Sequence, residues 1–576
     1  MPRIRSFWIR EGFVLSGAQN GNGSAENSAS GSQSHRGASG GKDGKGRAGS
    51  SNGGNGGNGG AAKPPPLGRR KTATALSPSL AANAHAIRMQ FHHSGDLRLR
   101  LLSSGALPGI QLAALYLQGI VDEEAIRKNV LEPLQAAEAA APGSLKGKGR
   151  LKDRIEQLRL NVISTGLTEP VRTLEGALDA LLLGCCLLLV EGSDEAVAAE
   201  AAGGETRQVG EPTAQTVIRG PQHAFTESAR TNIGLIRRII RSERLTVESR
   251  RIGRETCTEV SLLYMNGIVD AEIVKEARRR LDDIDIDSVL DSGYIEEFIQ
   301  DSSFTPFPTV LNTERPDQAA AGLLEGHFAV VVDGSPYVLL GPVTFFRFFQ
   351  SPEDHYQRFD IASFLRLIRI AAFFISMHLP ALYIAITTFH QEMLPSNLLI
   401  GLSAQREGVP FPALVEAFLM ELTFEVLREA GVRMPRAIGP AISIVGALVL
   451  GTAAVQAGLV SAAMVIIVAF TAISNFVVPQ INIAIAAGLI RFLLMVSAGI
   501  LGFVGIISVD LFVIIHLAGL YSFGVPYLKP VAPYVKGEWK DTFVRAPRWS
   551  LVRRPVIAQK GGRRRQPGGK PKRQNS

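Results

Sequence analysis

The sequence predicts an α/β soluble region, built as two related subdomains with mixed sheets, followed by an α-helical polytopic membrane domain. Three observations lead there. Residues 437–528 form a run of 92 positions with two formally charged side chains, Arg491 and Asp510. A spanning helix needs about 20 predominantly apolar residues, so this block has room for several. Residues 95–357 carry strand and helix patterns in alternation, and these patterns occur twice. The charges collect outside the apolar block: the net charge is +9, and the segment after Leu528 holds fourteen Lys/Arg against Glu538 and Asp541.

Residues 1–92 read as a disordered leader. Gly, Ser, Asn and Ala dominate them, with NGGNGGNGG at 52–60. Such a segment cannot bury enough apolar surface to offset chain entropy. Its Gly/Lys run at 41–46 lacks the Ser or Thr of a phosphate loop. The N-terminus is broken by Arg10 and Glu11 before any apolar core forms, so it does not read as a signal peptide. Three cysteines, two of them adjacent, give neither metal spacing nor a disulfide framework.

The repeat is explicit. Residues 96–122 align with 244–270 at a constant offset of 148, ending in Gly-Ile-Val-Asp both times. Each copy reads as strand, turn, strand, and then a helix opened by Asp122 or Asp270 as N-cap. Leu182–Gly192 parallels Leu324–Gly334, and Val217–Pro221 is matched with Val338–Pro342. The subdomains are therefore set at 93–245 and 245–357, with 193–214 a loop insertion in the first. A basic amphipathic helix follows Pro221. Its Arg230, Arg237 and Arg241 fall within about 40° of one another. They read as a solvated face, or as a contact to an acidic partner or lipid.

Phe345, Phe346, Phe348 and Phe349 read as packing that joins the soluble part to the bilayer. Arg366 and Arg369 precede the first span, 370–389, which contains Pro380. Basic flanks place the soluble region and the tail 529–576 on the cytoplasmic side. Further spans fall at 437–457, 459–479, 485–508 and 511–526. Arg491 and Asp510 then mark opposite edges of one continuous helix and do not pair with each other. An amphipathic helix at 411–430 carries Glu421, Glu425, Arg428 and Glu429 on one face. Two cytoplasmic ends require an even number of spans, and this list has five. Either 411–430 crosses the membrane or a short segment such as 511–526 is re-entrant.

No catalytic constellation is legible, and neither a cofactor nor nucleic-acid binding is expected. His378 and His516 fall inside the membrane block, where an ionisable side chain is costly. Each reads as functional or as a neutral ring bonded to a helix carbonyl. The acidic face Glu421/Glu425/Glu429 would favour monovalent cations near a pore mouth. Gly446, Gly451 and Gln456 lie in a stretch dense in small residues. That composition serves close helix packing or a narrow gate.

Several stretches together resemble the A-subunit family of GerA-type spore germination receptors. They include Thr313-Glu-Arg-Pro-Asp317, Phe348-Phe-Gln-Ser-Pro-Glu-Asp354, His378-Leu-Pro-Ala-Leu-Tyr383 and Pro435-Arg-Ala-Ile-Gly-Pro440. The resemblance covers about 93–535 and extends to the related stage V sporulation AF proteins. It implies a multi-pass protein of the spore inner membrane, working with B and C subunits to trigger germination in response to nutrients. It also implies that the chain oligomerises with itself and forms an ion-conducting path. It brings no catalytic residues. A non-conducting scaffold that clusters receptors and a secondary transporter are the alternatives.

Overall fold

The computed structural model describes residues 74–103, 107, 109–140, 151–203, 210–212, 215–433, 451–555, 557 and 564–566. The leader up to residue 73 lies outside them, as do 437–450 of the second expected span, with Gly446, and the last ten residues.

Two lobes repeat one plan. The first runs α1 (Leu80–Gln90), β1 (Leu97–Ser103), β2 (Gln111–Leu117), α2 (Glu123–Ile126), a π turn (Arg127–Leu131), α3 (Glu132–Ala140), α4 (Leu151–Asn161), β3 (Thr168–Val171), α5 (Leu174–Leu182), β4 (Cys185–Val190) and β5 (Ala196–Glu200). The second runs α6 (Ala229–Ile239), β6 (Leu245–Ile252), β7 (Thr258–Met265), α7 (Ala271–Asp282), α8 (Ser292–Ile299), β8 (Leu311–Thr313), α9 (Pro316–Glu325), β9 (Phe328–Val332) and β10 (Val338–Gly341). The sheet orders are β1-β2-β4-β5-β3 and β6-β7-β9-β10-β8. Leu97 pairs with Leu117 and Leu245 with Met265, so the first hairpin keeps its register between copies. Asp122 and Asp270 cap the helices as expected, accepting from Glu124 N–H at 2.9 Å and Glu272 N–H at 3.2 Å.

Several expectations are corrected. The sheets are not mixed, since every strand pairing in both is antiparallel. The crossover through the helices returns the chain to the far edge of the sheet, where β3 and β8 pair antiparallel with β5 and β10.

The stretch 193–214 is not simply a loop, because Ala196–Glu200 is a strand paired with both β4 and β3. It takes the place of β10, a place that the sequence alignment had given to Val217–Pro221. Alanine carries little strand preference of its own, and burial between neighbours supplies it here.

The repeat also starts earlier than the expected leader boundary. Helix α1 lies within 1–92, yet it buries Leu80, Ile87 and neighbouring Phe91. It is the counterpart of α6. Ser79 and Ser228 cap the two helices. Asn83 bridges Ser77 through both N–H and C=O, and Asn232 bridges Thr226 in the same way. The one residue by which the copies differ here falls at His92 and His93, both at positive φ (52° and 56°).

The helical region runs α10 (Phe359–Thr388), α11 (Ser396–Arg406), α12 (Ala413–Arg433), α13 (Gly451–Gln456), α14 (Ala462–Val477), α15 (Ile481–Leu501) and α16 (Phe503–Gly519). Among the described residues two helices, α10 and α15, are long and apolar enough to cross a membrane, and α14 and α16 are shorter apolar helices. Helix α10 begins before the expected 370 and continues through Pro380. The expected span 485–508 is two helices. Gly502 sits at φ 60°, ψ −137°, which a side chain would disfavour, and the chain turns there. The last expected span stops at Gly519, and a short hairpin, β11 (Tyr521–Ser522) with β12 (Val525–Pro526), follows.

The cores show which parts belong together. The first lobe has its own, from Leu76 to Ala201. The outer face of the second sheet packs on α7 and α8. The inner face shares a continuous core with α6, α9 and the helical region, from Phe225 through Phe345 and Phe373 to Leu494 and Tyr527. Helix α6 therefore belongs to the second lobe, which begins before the expected boundary at 245.

Candidate functional site

Three groups of polar side chains link helices inside the helical region. The first is centred on Arg491 of α15, whose side chain is 1% exposed. Its Nη2 lies 3.1 Å from Glu421 Oε2 and 3.0 Å from Glu425 Oε1, both on α12. Nη1 donates to the Ser376 carbonyl of α10 at 3.4 Å. Arg428 reaches the other Glu425 oxygen at 2.6 Å. Two carboxylates thus meet two guanidiniums, and the group is formally neutral. Burying such ions costs several kcal/mol each, and mutual attraction offsets this only with good geometry. Neither Glu421 oxygen has a hydrogen-bond partner among the described residues, so its compensation is Coulombic.

The second group is built on Glu416. Its Oε2 accepts from Ser461 N–H at 3.0 Å and Ser461 Oγ at 2.9 Å, at the start of α14. Arg406 of α11 stands 3.5 Å from Oε1. The third pairs His378 of α10 with Asp510 of α16, Nε2 to Oδ1 at 2.9 Å. The His378 Nδ1 lies 3.0 Å from the Phe374 carbonyl. Each ring nitrogen of His378 thus faces an oxygen, one of the backbone and one of Asp510.

These positions overturn several expectations. Arg491 and Asp510 do not pair with each other, but neither do they mark the edges of one span: each has a partner on another helix, and Gly502 separates the two helices that carry them. Glu421 and Glu425 do share a face, yet Arg491 occupies it, so it is not an open acidic surface. Glu429 stands apart, 2.6 Å from Arg433. Gly451 is buried, and a Cβ there would meet Val465 at 3.6 Å, whereas Gln456 is exposed. Arg428, on the same face of α12, was legible in the sequence; Arg491 was missed because an i, i+4 face on one helix says nothing of what another helix brings to it.

Helix α6 holds a further correction. Arg230 and Arg241 are exposed, but Arg237 is 1% exposed and is neither a lipid nor a partner contact. Its Nε donates to Asp96 Oδ2 at 2.7 Å and its Nη2 to Asp96 Oδ1 at 3.0 Å. Nη2 also reaches the Leu245 carbonyl at 2.8 Å, and Nη1 the Ser242 carbonyl at 3.0 Å. One guanidinium thus clamps the start of β1 to the start of β6, joining the lobes. The backbones meet closely beside it: a Cβ on Gly234 would lie 2.2 Å from the Gly119 oxygen.

The second lobe meets the helices through aromatic rings and a few hydrogen bonds. Phe345 and Phe349 stand edge-on to Phe373 of α10, with centroids 5.8 and 5.1 Å apart. Gln215 Nε2 donates to Gln480 Oε1 at 3.3 Å, in the turn between α14 and α15. Thr305 Oγ bonds His516 of α16 at 2.8 Å. Asp354 holds Arg366 and Arg369 at the start of α10, at 3.0 and 2.6 Å. Among the described residues no group of three or more His, Cys, Asp or Glu is placed to hold a metal ion.

A duplicated antiparallel α/β module, whose second copy shares its core with a helical region that buries ion pairs, defines the class. Residues 85–557 match the family described as Bacillus/Clostridium GerA spore germination protein, and the chain belongs to that family. Spore germination protein KA of Bacillus subtilis (strain 168) is 46% identical over 491 residues, covering 85% of this chain and 89% of that protein. Spore germination protein GerLA of Bacillus cereus is 38% identical over 475 residues, 82% and 94% of the two chains. A membrane protein of Bacillus subtilis (strain 168), YfkQ, is 39% identical over 500 residues, 85% and 94%. The crystal structure of the N-terminal domain of the A subunit of the Bacillus megaterium spore germinant receptor GerK3 aligns with a TM-score of 0.38 at 34% identity. It covers 48% of this chain and 99% of that one.

Proposed function

We propose that this chain is the A-type subunit of a spore germinant receptor in the spore inner membrane. It acts with B and C subunits and with further copies of itself, and contributes a path for monovalent cations that opens when a nutrient binds elsewhere in the complex. The soluble lobes and the basic tail lie on the cytoplasmic side. The observation that carries this reading is Arg491 between Glu421 and Glu425, deep among apolar helices. Ionisable groups are retained in such places where they serve transport or switching. With the guanidinium in place the carboxylates are neutralised. Moving α12 away from α15 would free them to attract a cation.

The test is reconstitution of the purified chain in liposomes, alone and with its B and C partners, followed by measurement of monovalent-cation flux. Nutrient-dependent flux is the expected result. Zero flux at verified incorporation of all three subunits favours the non-conducting scaffold.

A further inference from the structure

The chain after Leu528 does not trail away from the fold. It turns back over the second lobe, where Arg565 reaches Glu325 of α9 at 2.8 Å and Arg366 of α10 faces Asp541 at 3.3 Å. A cavity of about 350 Å³ opens beneath it, beside the Phe345–Phe349 turn. Arg347, Lys529, Arg553, Arg554 and Arg565 line it, against Glu325, Glu538 and Asp541. Two of these acids are already engaged. Glu325 lies between Arg347, at 3.1 Å, and Arg565, and so fixes the orientation of both guanidiniums. Asp541 is taken up by Arg366. Five basic side chains against three acids give the lining an excess of positive charge around an open volume, with two of the guanidiniums anchored by Glu325.

Two of the lining groups feel this charge in addition to their burial. Burial and the Arg347 charge hold the His327 imidazole, in the cavity wall, down to about 4. Burial lowers Arg554, and Arg565 lowers it further. Guanidinium forks match the oxygens of a phosphate in a way a single ammonium does not. The volume is that of a small-ligand site. The cavity also lies beside the first turns of α10, where the Asp541–Arg366 pair stands.

We propose that this cavity binds a phosphate-bearing anion, either the phosphodiester headgroup of an anionic lipid or a free phosphate compound. Two arms separate the sources. The full chain in detergent is titrated with inorganic phosphate and with glycerol phosphate by calorimetry. The full chain in phosphatidylcholine nanodiscs, with and without phosphatidylglycerol, is examined by native mass spectrometry for retained lipid. Saturable binding is expected in at least one arm. It should weaken about tenfold or more in Arg553→Ala with Lys529→Ala, as loss of charge-assisted hydrogen bonds implies. Arg553 is exposed, so Arg553→Ala alone is a second variant that spares the fold. Arg230→Ala removes an equal charge elsewhere and should leave binding unchanged. Binding in neither arm, or equal binding by the Arg553 and Arg230 variants, overturns the proposal.

Discussion

Arg491 and Glu421 face each other at 3.1 Å, with the two side chains 1% and 0% exposed. Removing one member of such a pair leaves the other as a buried, uncompensated charge. Arg491→Leu is therefore expected to cost on the order of 3–5 kcal/mol, read as a lower melting temperature in detergent. Adding Glu421→Leu and Glu425→Gln should recover most of the loss. A compound variant that melts no higher than Arg491→Leu contradicts this account. Neutralising the two glutamates alone would strand Arg491, so flux measurements need the compensated variant.

Arg237→Ala should separate the lobes, at a cost of about 3–5 kcal/mol for stranding buried Asp96. Arg237→Lys should fail almost as badly. A single ammonium cannot reach both Asp96 oxygens and the Ser242 and Leu245 carbonyls together. Limited proteolysis of the connection between β5 and α6 measures the effect. Arg230→Ala, on the exposed face of the same helix, should be cleaved at the wild-type rate.

Gly234→Ala tests the adjoining backbone contact. The new methyl would meet the Gly119 oxygen at 2.2 Å, and neither backbone can yield locally. A loss of about 1–3 kcal/mol or more is expected from overpacking, with the same gain in proteolysis. Gly401→Ala, inside α11 where nothing lies within 4 Å of the added carbon, is the matched control and should cost nothing, or stabilise by up to about 1 kcal/mol.

Stability should fall with acid in a defined window. Burial, with Arg347 adding to it, holds His327 and His355 down to about 4 against an ordinary 6.5. Between those values the unfolded chain binds protons that the folded chain refuses, so stability declines as pH drops from 6.5 to 4. Glu325 acts lower down. Burial would raise it, but Arg347 and Arg565 hold it at about 2, so its contribution is lost from about 4.5 toward 2. The His355 Nδ1 has no hydrogen-bond partner among the described residues. His355→Leu should therefore flatten the upper part of the melting-temperature profile at little cost at pH 7. An unchanged slope would mean that His355 does not drive it.

Much of the fold was legible because its signals are local. The repeated Gly-Ile-Val-Asp fixed two helix starts, and the offset of 148 carried a whole hairpin with its register. What failed was decided by tertiary contact. An alanine-rich strand has no local signature, so β5 was read as part of a loop. Position 237 follows the same helical pattern in both copies: Arg88 in α1 is exposed and Arg237 in α6 is buried. Only the presence of the first lobe against α6 distinguishes them. In the helical region the acidic face was visible and its occupant was not, because Arg491 and Glu421 belong to different helices.

The division of the cores has a mechanical consequence. The second lobe and the helices are one interlocked body, since separating them would expose the rings of Phe345, Phe349 and Phe373. The first lobe is held by a clamp of polar bonds and a backbone touch, which can break and re-form without opening a core. The compliant joint of the molecule therefore lies between the two copies of the repeat, and not where soluble chain meets apolar helix. A pull on the first lobe is absorbed at that joint, whereas a pull on the second is delivered to α10 undiminished.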